Sequence, residues 1–226
     1  MGASVSDHNE PPAQHSAPAT PVLLKAEQID AGPGSAQVLR GWTAQFPAGL
    51  SLILGEDGAG KTTALRVLAG ELAPRGGRIR WRGGPPPGAG EVFWRDPQEP
   101  WPEALSPRGW AAQLRTQWLQ WSQRAWERHV DGFDLQMHLS KPMYQLSTGG
   151  RRKVLLAAAL ASGAPLTLID EPVAALDRAS IDYLCEALDE AAQAAAEARR
   201  ALILAHYDRL DEGLPWQCVA VLPLAQ

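Results

Sequence analysis

Nine consecutive residues, Gly55 to Thr63 reading GEDGAGKTT, constrain the fold of this chain more than any other stretch. They satisfy G-x-x-x-x-G-K-[ST], with Gly55, Gly60, Lys61 and Thr62 at the fixed positions and Glu56, Asp57, Gly58, Ala59 and Thr63 completing the loop. A loop of this kind wraps a polyphosphate with backbone N–H groups. Its glycines permit conformations and close approach that a Cβ obstructs, Lys61 brings a point charge to the terminal phosphates, and Thr62 offers a hydroxyl to Mg²⁺. Ahead of it, Leu50, Leu52, Ile53 and Leu54 form an apolar run suited to a buried parallel strand. Behind it, Leu65, Leu68 and Leu72 recur at helical spacing, with Gly70 near the helix end. Strand, loop and helix in this order predict an α/β fold with phosphates over a helix N-terminus, where unpaired N–H groups and the positive dipole end attract anions.

At 226 residues and 45% hydrophobic, the chain buries a real core, as one compact domain with a small satellite subdomain. A net charge of −4 does not point to a nucleic-acid binder, so no nucleic acid is expected as a partner. The basic clusters Arg78, Arg80, Arg82 and Arg151, Arg152, Lys153 are then expected to be solvated faces. No window reaches the roughly 18 apolar residues of a membrane span; the richest, Val154 to Ile169, is interrupted by Ser162, Gly163 and Pro165. The first 20 residues, rich in Pro, Ala, Ser and Gln, lack a basic start and an apolar core, so they read as a disordered tail and not a secretory signal. Cys185 and Cys218 are too few for a disulfide framework or metal cluster, which fits a reducing cytoplasm.

Short strands are expected at Val22 to Ala26, Gln37 to Leu39 and Trp42 to Phe46, punctuated by the Gly32, Pro33, Gly34 turn. Arg78 to Arg82 alternates Ile79 and Trp81 with arginines as a half-buried strand, and Val92 to Trp94 follows. From about residue 100 to 150 the pattern becomes helical and aromatic. Trp110, Leu114, Trp118, Trp121 and Ala125 fall at the spacing of one helix face, which either packs a helical subdomain or stays partly exposed for a partner. Ser147, Gly149 and Gly150 lead into a helix from about Arg151 to Ser162, a second anion site like the first. The strand Pro165 to Ile169 ends on the paired carboxylates Asp170 and Glu171, where open α/β sheets place their ligands. Asp177 is the N-cap of a helix buried through Ile181, Leu184, Cys185 and Leu188, whose tail from Ala191 to Arg200 is expected on the surface. Two more strands, Ala201 to Ala205 ending on His206 and Cys218 to Leu222, close the chain.

Read in order, GEDGAGKT, LSTGG, LTLIDEP, AALD and LILAHYD resemble the Walker A, signature, Walker B, D-loop and H-loop of an ATP-binding-cassette ATPase. The resemblance covers about 22–222, and the segment LAGELAPRGGRIRWRG is most similar to the small cassette ATPases of the haem-exporter type in cytochrome c maturation. It implies a P-loop NTPase with a mainly parallel core sheet, an antiparallel β subdomain and a small helical subdomain at about 100–150, all within 21–226. It implies a Mg²⁺-dependent ATPase powering a membrane transporter. Asp170 and Thr62 would hold Mg²⁺, with Gln98 from the Q-loop; Glu171 would serve the attacking water as general base; His206 would contact the γ-phosphate. Ser147, Gly149 and Gly150 would grip ATP bound to the Walker A loop of a second cassette subunit, giving a homodimer with two sandwiched nucleotides. Separate transmembrane subunits would dock on it, placing the chain in the cytoplasm at the inner face of the cell membrane.

The chain departs from the family's pattern in three ways. No aromatic residue occurs between Val22 and Gly41, where an adenine-stacking ring is common. Thr148 and Gly150 stand where Gly and Gln are more usual. The Q-loop position falls on Gln98 in one register and Arg95 in another. Two functions compete with transport: a soluble cassette ATPase acting on a protein assembly, and, suggested by the missing ring and the altered signature, a nucleotide-dependent scaffold with little turnover.

Overall fold

The computed structural model describes residues 20–223; the tail expected over residues 1–20 thus lies outside the described residues, but for residue 20. Two sheets organise the chain. Strands β1 (Val22–Ala31), β2 (Leu39–Pro47) and β4 (Gly76–Trp81) form an antiparallel sheet in the order β2-β1-β4. Strands β3 (Gly49–Leu54), β5 (Val92–Phe93), β6 (Leu166–Asp170), β7 (Ala201–His206) and β8 (Trp216–Val221) form a parallel sheet in the order β5-β6-β7-β3-β8. β6 and β7 are buried along their whole length, as expected for parallel strands covered on both faces.

Side-chain alternation divides the core between those faces. Leu50, Leu52, Ile169, Leu202 and Leu204 pack toward α4 (Thr148–Ala161) and α5 (Arg178–Glu197). Ile53, Leu168 and Ile203 pack with α1 (Lys61–Leu68) and the antiparallel sheet. The tail from Ala191 to Arg200 exposes Gln193, Ala194, Glu197, Ala198 and Arg199 as expected, but Ala192 and Ala195 on its other face are buried in the first of these cores. The alanines are small enough to let the helix sit close to β3, and composition hid that contact. Burial pushes the thiols of both cysteines up; each is half-buried, Cys185 on α5 and Cys218 on β8.

The tryptophan stripe is also different from its expectation. Helix α2 (Pro107–Gln117) stops at Trp118, an extended C-cap with φ −106° and ψ 104°. A turn follows, and α3 (Gln123–Gly132) starts anew at Ser122, whose hydroxyl accepts the Ala125 N–H at 3.1 Å. Gly163 fixes this break: a Cβ there would lie 2.3 Å from the Gln120 carbonyl oxygen. Trp110 and Trp126 therefore reach one core from two helices, whereas Trp101, Trp118 and Trp121 are half-buried at its rim. Packing, not an exposed stripe, accounts for most of the aromatic surface.

Candidate functional site

The Gly55–Thr63 loop joins β3 to α1 at the carboxyl edge of the parallel sheet. Gly60 caps α1 with φ 98°, a conformation that L side chains rarely adopt. A Cβ there would also come within 2.5 Å of Val38. Residues Asp57, Gly58, Gly60, Lys61, Thr62 and Thr63 line a cavity of about 310 Å³, closed on other sides by Val38 and Glu171. Gly55 and Ala59 are buried beneath it, with Glu56 exposed beside them.

Lys61 is almost fully buried, and its ammonium donates to the carbonyl oxygens of Gly55 at 2.9 Å and Glu56 at 3.2 Å. It also pairs with Glu171 Oε1 at 3.0 Å and Asp57 Oδ1 at 3.5 Å. The other oxygen of Glu171 lies 3.4 Å from His206 Nε2, and His206 Nδ1 lies 2.9 Å from Asp208 Oδ1. Three elements thus converge on Glu171: α1 through Lys61, β6 through the chain itself, and β7 through His206. Glu171 holds a left-handed backbone with φ 45°, and its N–H donates to Ala205 on β7 at 2.9 Å. Strain of this sort at a non-glycine residue persists where surrounding contacts enforce it.

Asp170 is buried at the tip of β6. Thr62 Oγ1 donates to its Oδ2, and its Oδ1 has no hydrogen-bond partner. Burial raises its pKa, against the lowering effect of the Thr62 hydrogen bond. A buried carboxylate oxygen with nothing to bind, beside a hydroxyl, suits a hard cation that prefers oxygen. Two protein oxygens are too few for a cage, so phosphate oxygens and water would complete the shell.

The second glycine loop is built differently. Ser147 caps α4, its hydroxyl accepting the Gly150 N–H at 3.0 Å, and a Cβ on Gly149 would lie 2.3 Å from the Ala175 carbonyl oxygen. Thr148 is exposed in the first turn of α4. Asp177 caps α5 through Ser180 and pairs with Lys153 at 2.8 Å, which together hold its carboxyl well below the usual range. In one chain, Ser147, Gly149 and Gly150 do not line the cavity at Lys61.

Neither Q-loop candidate lines that cavity. Gln98 is exposed, and its N–H donates to Asp96 Oδ1 at 2.7 Å. Arg95 donates to the Glu99 and Pro100 carbonyl oxygens and stacks over Trp101 at 4.4 Å. From this segment Asp96 reaches α1, where it accepts from both Nε and Nη2 of Arg66. The Arg66 hydrogen bond holds the Asp96 carboxyl below its usual value.

The cluster Arg151, Arg152, Lys153 is not a solvated face. Arg151 binds the Met143 carbonyl oxygen and Glu103, Lys153 binds Asp177, and Arg152 donates to the Asp170 main-chain oxygen at 2.7 Å. Sequence reasoning passed over these contacts because, apart from the Met143 carbonyl 8 residues before Arg151, their partners lie 18 or more residues away. The one local signal was their place in the first two turns after the Ser147 cap.

Residues 43–174 match the profile of the ABC transporter family. Among curated proteins, the chain is 33% identical to the cytochrome c biogenesis ATP-binding export protein CcmA of Rhodospirillum rubrum, over 77% of either chain. It is 35% identical to the taurine import ATP-binding protein TauB of Pseudomonas entomophila, over 74% of this chain and 67% of that protein. Among solved structures, a putative ABC transporter ATP-binding protein from Pyrococcus furiosus superposes with a TM-score of 0.73 at 21% identity, covering 88% of this chain and 96% of that one. His206 lies beyond the matched span.

Proposed function

Because the chain belongs to the ABC transporter family, we propose that Lys61, Asp170, Glu171 and His206 form the ATP-hydrolysing site of a transporter's ATPase subunit. The observation that carries this reading is the convergence on Glu171: one carboxylate bridges the phosphate-loop lysine and His206, across a cavity floored by phosphate-binding backbone. Phosphoryl transfer depends mostly on positioning and charge stabilisation, and this arrangement supplies both. Lys61 and the N–H groups of α1 neutralise the terminal phosphates. Released from Lys61 by incoming phosphate, Glu171 accepts a proton from the attacking water, with His206 orienting the γ-phosphate. Thr62 and Asp170 would hold Mg²⁺, which when bound spreads the charge developing on the β- and γ-phosphates.

Ser147, Gly149 and Gly150 sit at a helix N-terminus outside the chain's own cavity. Their use requires nucleotide from another subunit, so the working form is a head-to-tail dimer with ATP at each seam. Among the described residues no helix is long and apolar enough to cross a membrane, and the membrane path belongs to separate transmembrane subunits. In this reading the chain works at the cytoplasmic face of that partner. CcmA is named for export and TauB for import, so direction is not carried by the likeness to either.

The test is Glu171→Gln. Removing the base while keeping the shape lowers ATP turnover by about a hundredfold or more and traps an ATP-dependent dimer in light scattering, which Lys61→Ala in the same chain abolishes. Wild-type turnover in Glu171→Gln would remove Glu171 from the chemistry. Persistence of the monomer with saturating ATP would leave the sandwich without support.

A further inference from the structure

We infer that Arg152 is a positioning residue that ties the geometry of Glu171 to the state of helix α4, and so to whatever Ser147 and Gly149 grip. The inference deepens the hydrolysis reading above and rests on it. The peptide between Asp170 and Glu171 is held from both sides. Its N–H donates to Ala205 on β7, and its C=O accepts from Arg152 Nη1 on α4 at 2.7 Å. That peptide plane sets where Glu171 begins, and Glu171 continues with φ 45°, an uncommon conformation that one lost clamp frees to relax.

Arg152 is suited to the task by its surroundings. It is half-buried, one side of a cavity of about 170 Å³ lined by Leu155, Leu168, Ile169 and Trp101 and, on its polar side, by Arg95, Asp96 and Glu99. Burial lowers its pKa, and the nearby carboxylates of Asp170 and Glu171 oppose that effect. A guanidinium partly withdrawn from water and lacking another hydrogen-bonded partner among the described residues holds its one carbonyl more firmly than a fully exposed one.

The same turns of α4 grip the chain beyond Glu171. Gly149 lies against the Ala175 carbonyl oxygen, and Lys153 pairs with Asp177. Residues 170–177 therefore follow α4 as one body. An anion that draws the α4 N-terminus toward a second subunit moves the carbonyl held by Arg152, and with it the start of Glu171. The site of one subunit is thereby informed of nucleotide at its own signature helix.

Arg152→Met keeps the length and apolar packing and removes the donor; Arg152→Lys restores one donor and the charge. In the full chain, Arg152→Met is expected to lower kcat tenfold to a hundredfold, on the order of what a displacement near 1 Å causes in a positioned site. The KM for ATP stays within about threefold, because the phosphate loop is untouched, and Arg152→Lys recovers much of the loss. Hydrogen exchange at residues 170–177 rises in Arg152→Met while that at residues 49–54 does not. An unchanged kcat in Arg152→Met, a lysine variant no better than methionine, or equal loosening of residues 49–54 would overturn the inference. Should wild type and Lys61→Ala alike show neither ATP binding nor turnover, the hydrolysis reading fails by itself. Exchange at residues 170–177 then decides the clamp: faster in Arg152→Met upholds it, unchanged removes it.

Discussion

The phosphate loop and the α2–α3 segment are both built from residues with strong local preferences, yet only one is a local structure. In the loop, spacing dictates backbone: Gly60 must take φ 98° at the foot of α1, and no distant contact is needed to know it. In α2–α3, the spacing of Trp110, Leu114, Trp118 and Trp121 is helical throughout, but the helix is not. Trp118 turns out of it, and the chain re-enters a second helix four residues later, at Ser122. Apolar periodicity reports which side chains want burial. It does not say whether one rigid rod or two short ones deliver them.

The largest effect is expected where local conformation is least negotiable. Gly60→Ala places a methyl group within 2.5 Å of Val38 and forces φ 98° on an L side chain, so the loop must move off its phosphate geometry. ATP turnover should fall by about a hundredfold or more, with a melting temperature within a few degrees of wild type, on the order of one kcal/mol of strain. Activity near wild type would mean that the loop is less constrained than its sequence implies.

That contrast also marks how far the sequence could be read. The loop, the Asp170–Glu171 strand end and His206 were legible because each is a short chemical pattern at the end of an apolar run. The α2–α3 break was signalled only by Ser122 before Ala125, a cap that the stronger apolar rhythm concealed. The Q-loop was not legible: Gln98 lies exposed, and it is Asp96 that pairs with α1, through an arginine 30 residues earlier. Arg152 was discounted as one of three adjacent basic residues, since nothing in its neighbours reveals a carbonyl 18 positions away. What escaped was tertiary pairing, which has no spacing rule.

If two helices share one core, the anchors should matter far more than the rim. Trp126 is 4% exposed and packs against Trp121 with ring centroids 5.8 Å apart. Trp126→Ala should lose about 3–5 kcal/mol of unfolding free energy. Trp118→Ala, half-buried at the cap, should lose less than half of that. Equal losses, measured by denaturant titration, would restore the continuous stripe.

The two regions also answer acid with opposite sign. His129 on α3 is 1% exposed beside Tyr183, whose hydroxyl lies 2.8 Å from its Nδ1, and burial lowers its pKa from 6.5 to about 4. The unfolded chain takes up this proton first, so stability present above pH 6.5 is lost as pH falls toward 4. The full loss is about 3 kcal/mol. Asp170 in the site has a raised pKa, and its contribution is present at low pH and lost as pH rises through the folded value. His129→Gln should flatten the decline in stability between pH 6.5 and 4; a decline unchanged in that variant would place its origin elsewhere.

The smallest effect tests the break itself. Leu119 is 98% exposed, and Trp121 donates its N–H to the Trp118 carbonyl oxygen at 3.0 Å, which makes Leu119 the second residue of a four-residue turn. Proline is favoured at that position, and Trp118, already extended, has the backbone that a following proline requires. Leu119→Pro should therefore change stability by no more than about 1 kcal/mol. Inside a single helix running from Trp110 to Ala125, the same proline would remove a hydrogen bond and clash with the preceding turn, at about 3 kcal/mol or more. A loss of that size would mean that the rhythm of the tryptophans had been right about the helix and the break wrong. A loss near zero fixes two helices, capped by the Ser106 and Ser122 hydroxyls, as the way this sequence turns one apolar face into two sides of a core.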